Sequence, residues 1–314
     1  MRRRPALTSF FLAAAATALA VGSGAQPGPG HEPVARPLPF FYDLYTFRGT
    51  ADSTIVVASF AVPVGSLHRE RIAGDVRYRF DVTLALADTA DRSVFRTDDS
   101  VYVRLPRAPA RRHLLSTHVQ VQAPPSHTLS QYVILTDAAT PGVGQLYTSP
   151  FPVPDYSGDQ LMLSDVALSQ PGAEHGWRHG GATLALLPTS EFPHSAFDVY
   201  YEIYNLPEGH RYTTEIAVSR VADADGRPVD DDSAVRVRYS EESDACPAGT
   251  LAELRYVDAA VSDGRYRIAV TITDQESGRA ASRSREFQVS EWTPGATLVT
   301  ALPRGSRTRG STGQ

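Results

Sequence analysis

Hydrophobic and polar residues alternate along most of this chain with a period of two. In the first half the clearest stretch sets Tyr78, Phe80, Val82, Leu84 and Leu86 on one side, with Arg77, Arg79, Asp81 and Thr83 on the other. In the second half Tyr266, Ile268, Val270 and Ile272 point one way, while Arg265, Arg267, Thr271 and Thr273 point the other. Strand side chains alternate between the two faces of a sheet, so these runs predict half-buried antiparallel strands. Further runs fall at 40–47, 54–64, 100–105, 113–122, 129–136 and 145–151. After residue 160 they fall at 161–168, 183–187, 197–205, 211–221, 234–239, 251–257 and 281–289. Turn residues separate them, among them Ala73-Gly74-Asp75, Pro141-Gly142, Asp223-Ala224-Asp225-Gly226 and Asp274-Gln275-Glu276-Ser277-Gly278. The last of these predicts a hairpin joining 264–273 to 281–289.

The prediction is an all-β chain of two tandem immunoglobulin-like antiparallel β-sandwiches, over residues 40–153 and 159–292. Pro152-Val153-Pro154-Asp155-Tyr156-Ser157-Gly158 reads as the joint between them, because two prolines and a glycine interrupt the alternation. No helical periodicity occurs after the N-terminal stretch. Residues 26–39 are Pro/Gly-rich and read as a flexible leader, and 293–314 as a disordered Gly/Ser/Thr/Arg tail.

The first 25 residues change the picture most. Arg2, Arg3 and Arg4 precede an apolar run, which ends at Ser23-Gly24-Ala25. A basic start, an apolar middle and small residues before a cut describe a secretory signal peptide, so the mature chain is expected to begin at Gln26. The expected location is exported: periplasmic, associated with the outer envelope, or secreted. No later apolar run is long enough to span a membrane as a helix.

Composition narrows the class of partner. Hydrophobic content of 42% allows packed cores, and a net charge of −5 is too mild to point to nucleic acid. Every basic residue other than histidine is arginine. The one cysteine, Cys246, has no partner in the chain for a disulfide. No cofactor is expected.

Candidate chemistry is sparse. His175 and His179 stand four apart beside Trp177 and Glu174, a spacing that would suit zinc on a helix. Glycines at 172, 176, 180 and 181 make a helix improbable, and a site completed by His194 is weighed against an exposed loop; the loop is preferred, with no metal. There is no His-Glu-x-x-His motif and no Gly-x-Ser-x-Gly elbow. Asp230-Asp231-Asp232 and Glu241-Glu242 read as solvated turns rather than a calcium loop. No catalytic residue is assigned.

One strand face, bearing Tyr200, Glu202 and Tyr204, presents tyrosines of the kind that anchor partners, against the alternative of packing on a neighbouring layer. His175, Trp177 and His179 with Tyr200, Glu202 and Tyr204 are therefore the candidate partner-binding residues. The function expected is a non-catalytic binding or structural protein, offering loops or a sheet face to a protein or an envelope polymer. The alternative is a hydrolase or carbohydrate-active accessory protein with a cleft in one domain.

Three stretches carry a likeness: Leu161-Met162-Leu163-Ser164-Asp165-Val166, the run from Phe197 to Leu206, and the run from Gly264 to Asp274 with Ser277-Gly278-Arg279 after it. Together they resemble the β-rich C-terminal region of the exported bacterial proteins named for a GWxTD motif, over residues 161–289. The motif itself is not present, since Gly176-Trp177 is followed by Arg178-His179-Gly180 where the family has Thr-Asp. The resemblance implies an exported bacterial β-domain protein and brings no functional residue with it.

Overall fold

Alternation of this kind needs a sheet to receive it, and a computed structural model supplies four. It describes residues 37–88, 92–111, 113–188, 196–229, 235–242, 249–259, 261–289 and 299–300. The leader to residue 36, His194, Asp230-Asp231-Asp232, Cys246 and the tail beyond residue 300 lie outside these. The first strands are β1 (Phe41–Arg48), β2 (Thr54–Pro63), β3 (Glu70–Ile72), β4 (Asp75–Ala87), β5 (Val94–Leu105), β6 (Leu114–Ala123), β7 (Ser130–Asp137) and β8 (Gly144–Pro150). They continue as β9 (Met162–Leu163), β10 (Ala167–Gln170), β11 (Trp177–His179), β12 (Ala182–Leu186), β13 (Ala196–Tyr204) and β14 (Arg211–Ala222). The last are β15 (Val235–Glu242), β16 (Thr250–Asp258), β17 (Gly264–Asp274), β18 (Ala280–Val289) and β19 (Val299–Thr300). Among the described residues there is no α-helix.

The protein is all-β, and its long ladders are antiparallel. β1, β2 and β6 form one sheet, closed by β19 in a short parallel pairing with β6. A second sheet has β4 at its centre, with β5 along one side and β3 then β7 along the other, and β8 beyond β7. A third runs β11-β12-β10-β13-β16, with β9 also on β13, and a fourth runs β15-β14-β17-β18. The 264–289 hairpin is present as β17 and β18.

Tyr78, Phe80, Val82 and Leu84 of β4 face Val56, Ala58, Phe60 and Val62 of β2 in one buried core. Tyr266, Ile268, Val270 and Ile272 of β17 face Phe197, Val199, Tyr201 and Ile203 of β13 in another. Both sets lie on the sides that the alternation assigned. Leu38, which the sequence places in the flexible leader, is buried in the first core.

A third core joins these two sandwiches. β2 is buried at all ten positions because both faces of its sheet are covered. Ile55 and Val57, on the face turned away from the first core, pack with Tyr45 and Phe47 of β1 against Ala167, Trp177, Leu184, Leu186 and Tyr200. The four sheets are therefore layered, with the β1–β2–β6 sheet and the β13 sheet both internal. An internal sheet has no solvent face, which is why Thr54–Pro63 reads as a nearly continuous apolar run.

The edge of β1 is also closed. A terminal strand presents unpaired backbone groups, and these need partners when buried. The Leu44 carbonyl accepts from Arg285 at 2.9 Å. The Thr46 N–H donates to the Asp165 carboxylate at 2.9 Å, and its carbonyl accepts the Asp165 N–H at 3.0 Å. The Arg48 N–H donates to the Tyr204 hydroxyl at 2.7 Å. Each partner is supplied by the second half of the chain.

Candidate functional site

Residues 177–186 form a hairpin packed on the body, which corrects the expectation of an exposed loop for Trp177 and His179; His175 lies in the exposed loop before it. Trp177 pairs with Leu184 and His179 with Ala182 across Gly180-Gly181. Both glycines have positive φ, 54° and 81°, the conformation that a two-residue hairpin turn requires. Gly180 also permits close approach: a Cβ there would come within 2.2 Å of the Tyr200 hydroxyl. Without a side chain at this point the turn lies directly on β13.

What it covers is the face carrying Tyr200, Glu202 and Tyr204. These three and Trp177 are buried, so the solvent-facing aromatic surface expected from the sequence is corrected. The alternation placed the residues on one face correctly. That face is turned to another sheet, and the tyrosine rings bring the apolar area that an internal layer needs. Trp177 stacks on His179 with centroids 4.6 Å apart, and Phe47 lies 4.8 Å from Trp177 and 5.7 Å from Tyr200. The Trp177 indole N–H donates to Gln120 on β6 at 2.7 Å. His175 alone of the six is exposed, and the His179 side chain retains 21% exposure.

The centre of this cluster is the Glu202 carboxylate. His179 Nε2 lies 2.9 Å from one oxygen, which also accepts from the Tyr200 hydroxyl at 2.7 Å. The Tyr204 hydroxyl donates to the other oxygen at 2.7 Å. Burial alone would push this carboxyl upward, but the hydrogen bond and charge of His179, with the two hydroxyls, outweigh it and hold Glu202 below the usual range. Burial, then the charge of Glu202, pushes both tyrosine hydroxyls well upward, so they act as donors. Chemically the group is a satisfied internal network that fixes one sheet on the next.

Two further ionic clusters were not evident from the sequence. Arg285 lies 2.7 Å from Asp43 and 3.6 Å from Asp165, with its guanidinium 4.2 Å from the Tyr45 ring centroid. Arg255 pairs with Glu241 and, at 2.5 Å, with Glu253, while Tyr212 donates to both carboxylates. The Arg285 cluster joins residues far apart in sequence, and the Arg255 cluster joins neighbours Glu253 and Arg255 to Tyr212 and Glu241 on other strands; single-sequence spacing carries no signal for either meeting.

His210, Asp274 and Glu276 place potential metal-ligating atoms within 4.8 Å of one another. The buried Asp274 carboxylate is already engaged by the N–H of Glu276 at 3.1 Å, by the Ser277 hydroxyl and by His210 at 3.1 Å. Burial raises this carboxyl, yet those bonds win and lower it to about 2. The trio anchors the β17–β18 turn.

One open pocket, of about 370 Å³, lies where the β1–β2 turn meets the 156–158 segment and Asn205. Arg48, Asp52, Ser53 and Ser157 line it, and it is predominantly polar.

No family model matches the chain, and no curated protein matches it. Among solved structures it is similar to a red sea bream transglutaminase, at 10% identity and a TM-score of 0.24, over 80% of this chain and 31% of that one. It is also similar to a Bacteroides uniformis β-glucuronidase, at 8% identity and a TM-score of 0.25, over 74% of this chain and 26% of that one. The chain thus spans less than a third of either protein. A likeness of this size says nothing about activity.

Proposed function

We propose that this is an exported, non-catalytic binding protein, a rigid stack of sheets that offers a strand edge to an extended segment of a protein partner. One observation carries the reading. β16 ends its sheet, and on the same face it exposes Leu254 at 44% and Tyr256 at 59%. An open strand edge bearing apolar side chains is a template for strand addition, with backbone bonds giving affinity and side-chain contacts giving choice. Other terminal strands mix exposed apolar residues with exposed charges: Val94 and Tyr102 with Arg96, Asp98 and Arg104 on β5, and Val235 with Arg236 and Arg238 on β15.

The non-catalytic part of the reading is supported by where the perturbed groups lie. The Glu202 carboxylate and the hydroxyl-bearing Tyr200, Tyr204 and Tyr212 are buried, and the perturbed groups that line the open pocket, Arg48 and Tyr156, include no carboxylate or histidine. Chemistry on a substrate would need such groups within reach of it. Of the residues expected from the sequence to meet a partner, His175 remains open to one.

Export rests on the basic-apolar-small pattern of residues 1–25, and the likeness of 161–289 to the GWxTD-motif proteins belongs to the same proposal. Among the described residues no helix is long and apolar enough to cross a membrane.

The test compares wild type with Leu254→Asp/Tyr256→Asp, first for fold by circular dichroism and then for capture of a protein from envelope extract. Loss of capture with the fold intact is the expected result; equal capture by both removes the β16 edge. Mass spectrometry of exported protein should find Gln26 at its start. Turnover of an ester, peptide or glycoside panel by wild type would replace this reading with an enzymatic one.

A further inference from the structure

The pocket at the end of β1 is built around a cation whose charge no carboxylate answers directly. Arg48 runs beneath the β1–β2 turn, with its guanidinium 4.3 Å from the Tyr204 ring centroid. Its Nε donates to the Tyr156 carbonyl at 3.0 Å, one terminal nitrogen to the Asn205 side-chain oxygen at 3.1 Å, and the other to the Gly249 carbonyl at 3.5 Å. All three acceptors are neutral. Among the described residues Arg48 forms no ion pair, whereas Arg255 and Arg285 each meet two carboxylates. Glu202 acts on Arg48 only from behind Tyr204, and that carboxylate is already paired with His179.

A partly buried guanidinium that lacks an anion is costly, and arginine has five N–H donors, of which three are used here. The cavity opens onto this group. Asn205 holds it in aim: this residue has φ 62°, a backbone that asparagine tolerates, and its amide N–H groups donate to the carbonyls of Gly158 and Gln160. The rest of the lining has different chemistry. Asp52, exposed in the β1–β2 turn, lines the pocket together with Ser53 and Ser157. A bare anion would meet the Asp52 charge. A ligand that also carries a hydrogen-bond donor next to its carboxylate would satisfy both sides.

We propose that this pocket binds a small α-hydroxy or α-amino carboxylate, with the carboxylate on Arg48 and the neighbouring donor toward Asp52. A planar carboxylate matches the guanidinium fork, and a volume of about 370 Å³ leaves room for a side chain. The inference goes beyond the docking role of β16, and neither result depends on the other.

The experiment titrates glycolate and L-serine into the full chain by ligand-observed NMR, with acetate and inorganic phosphate as the other probes. Two variants spare the fold: Ser157→Phe, at an exposed position, fills the mouth, and Asp52→Asn keeps a residue type at ease with the positive φ of 56°. The expected result is millimolar binding of glycolate or L-serine, weakened about tenfold or more in Asp52→Asn, as loss of a charged hydrogen bond implies, and blocked in Ser157→Phe. Circular dichroism and Tm should match wild type. Absence of saturation by both carboxylates, binding that survives Ser157→Phe, or phosphate binding as tight as either ligand overturns the proposal.

Discussion

The backbone N–H of Arg48 donates to the hydroxyl of Tyr204 across 2.7 Å, and that hydroxyl in turn donates to Glu202. An edge strand of one sandwich is thereby tied to the central carboxylate of the other. Tyr204→Phe keeps the ring under the Arg48 guanidinium and deletes only this link. It should cost about 1–3 kcal/mol, the usual penalty for leaving buried polar groups unpaired. Chemical denaturation checks it: the midpoint falls and the slope is unchanged.

Glu202→Leu should be more damaging than Tyr204→Phe. The carboxylate receives His179, Tyr200 and Tyr204, so its removal orphans three donors in one internal layer. Breaking a buried pair by removing one partner costs about 3–5 kcal/mol. Glu202→Gln retains an acceptor oxygen and should fall between wild type and Glu202→Leu in thermal unfolding.

The two faces of β2 give a direct test of the layering. Val56 lies in the first core and Val57 in the core between the sandwiches. In an ordinary two-sheet sandwich one of these positions would face solvent and tolerate aspartate. Here both Val56→Asp and Val57→Asp should unfold the protein or destabilise it by several kcal/mol, because each buries an unpaired charge. Near-wild-type stability of Val57→Asp would refute the internal sheet.

Stability should fall in mild acid through His118. Burial lowers this imidazole from 6.5 to about 4. The unfolded chain therefore binds the proton at a pH where the folded one does not. The contribution is fully present above about pH 6.5 and is lost as the pH falls toward about 4, by about 3 kcal/mol in all. A series of denaturation midpoints from pH 7 to 4 should show this slope, and His118→Gln should flatten it.

Gly180→Ala should destabilise by about 1–3 kcal/mol, because the added carbon meets the Tyr200 hydroxyl and the position has a positive φ. Gly181→Ala meets nothing within 4 Å and carries only the φ penalty, so it should be milder. Differential scanning calorimetry of the pair would rank them.

The strand pattern was legible because period-two alternation depends only on neighbours along the chain. That local rule placed Tyr78 to Leu84 and Tyr266 to Ile272 on their buried sides, and put Tyr200, Glu202 and Tyr204 together on one face. It found the β12 run but missed its pairing with β11, because a three-residue strand before a Gly-Gly turn is too short to show a period. The sequence alone determined an all-β chain with amphipathic strands. Only the tertiary structure decided what each polar-looking face would meet. Alternation assigns a face but not the layer stacked upon it, and that layer is brought by residues far away in the chain. Asp165 and Arg285 closing the edge of β1, and Arg48 reaching Asn205, are pairings of this kind. They turned an expected tyrosine surface into an internal core and left an arginine at the floor of a pocket.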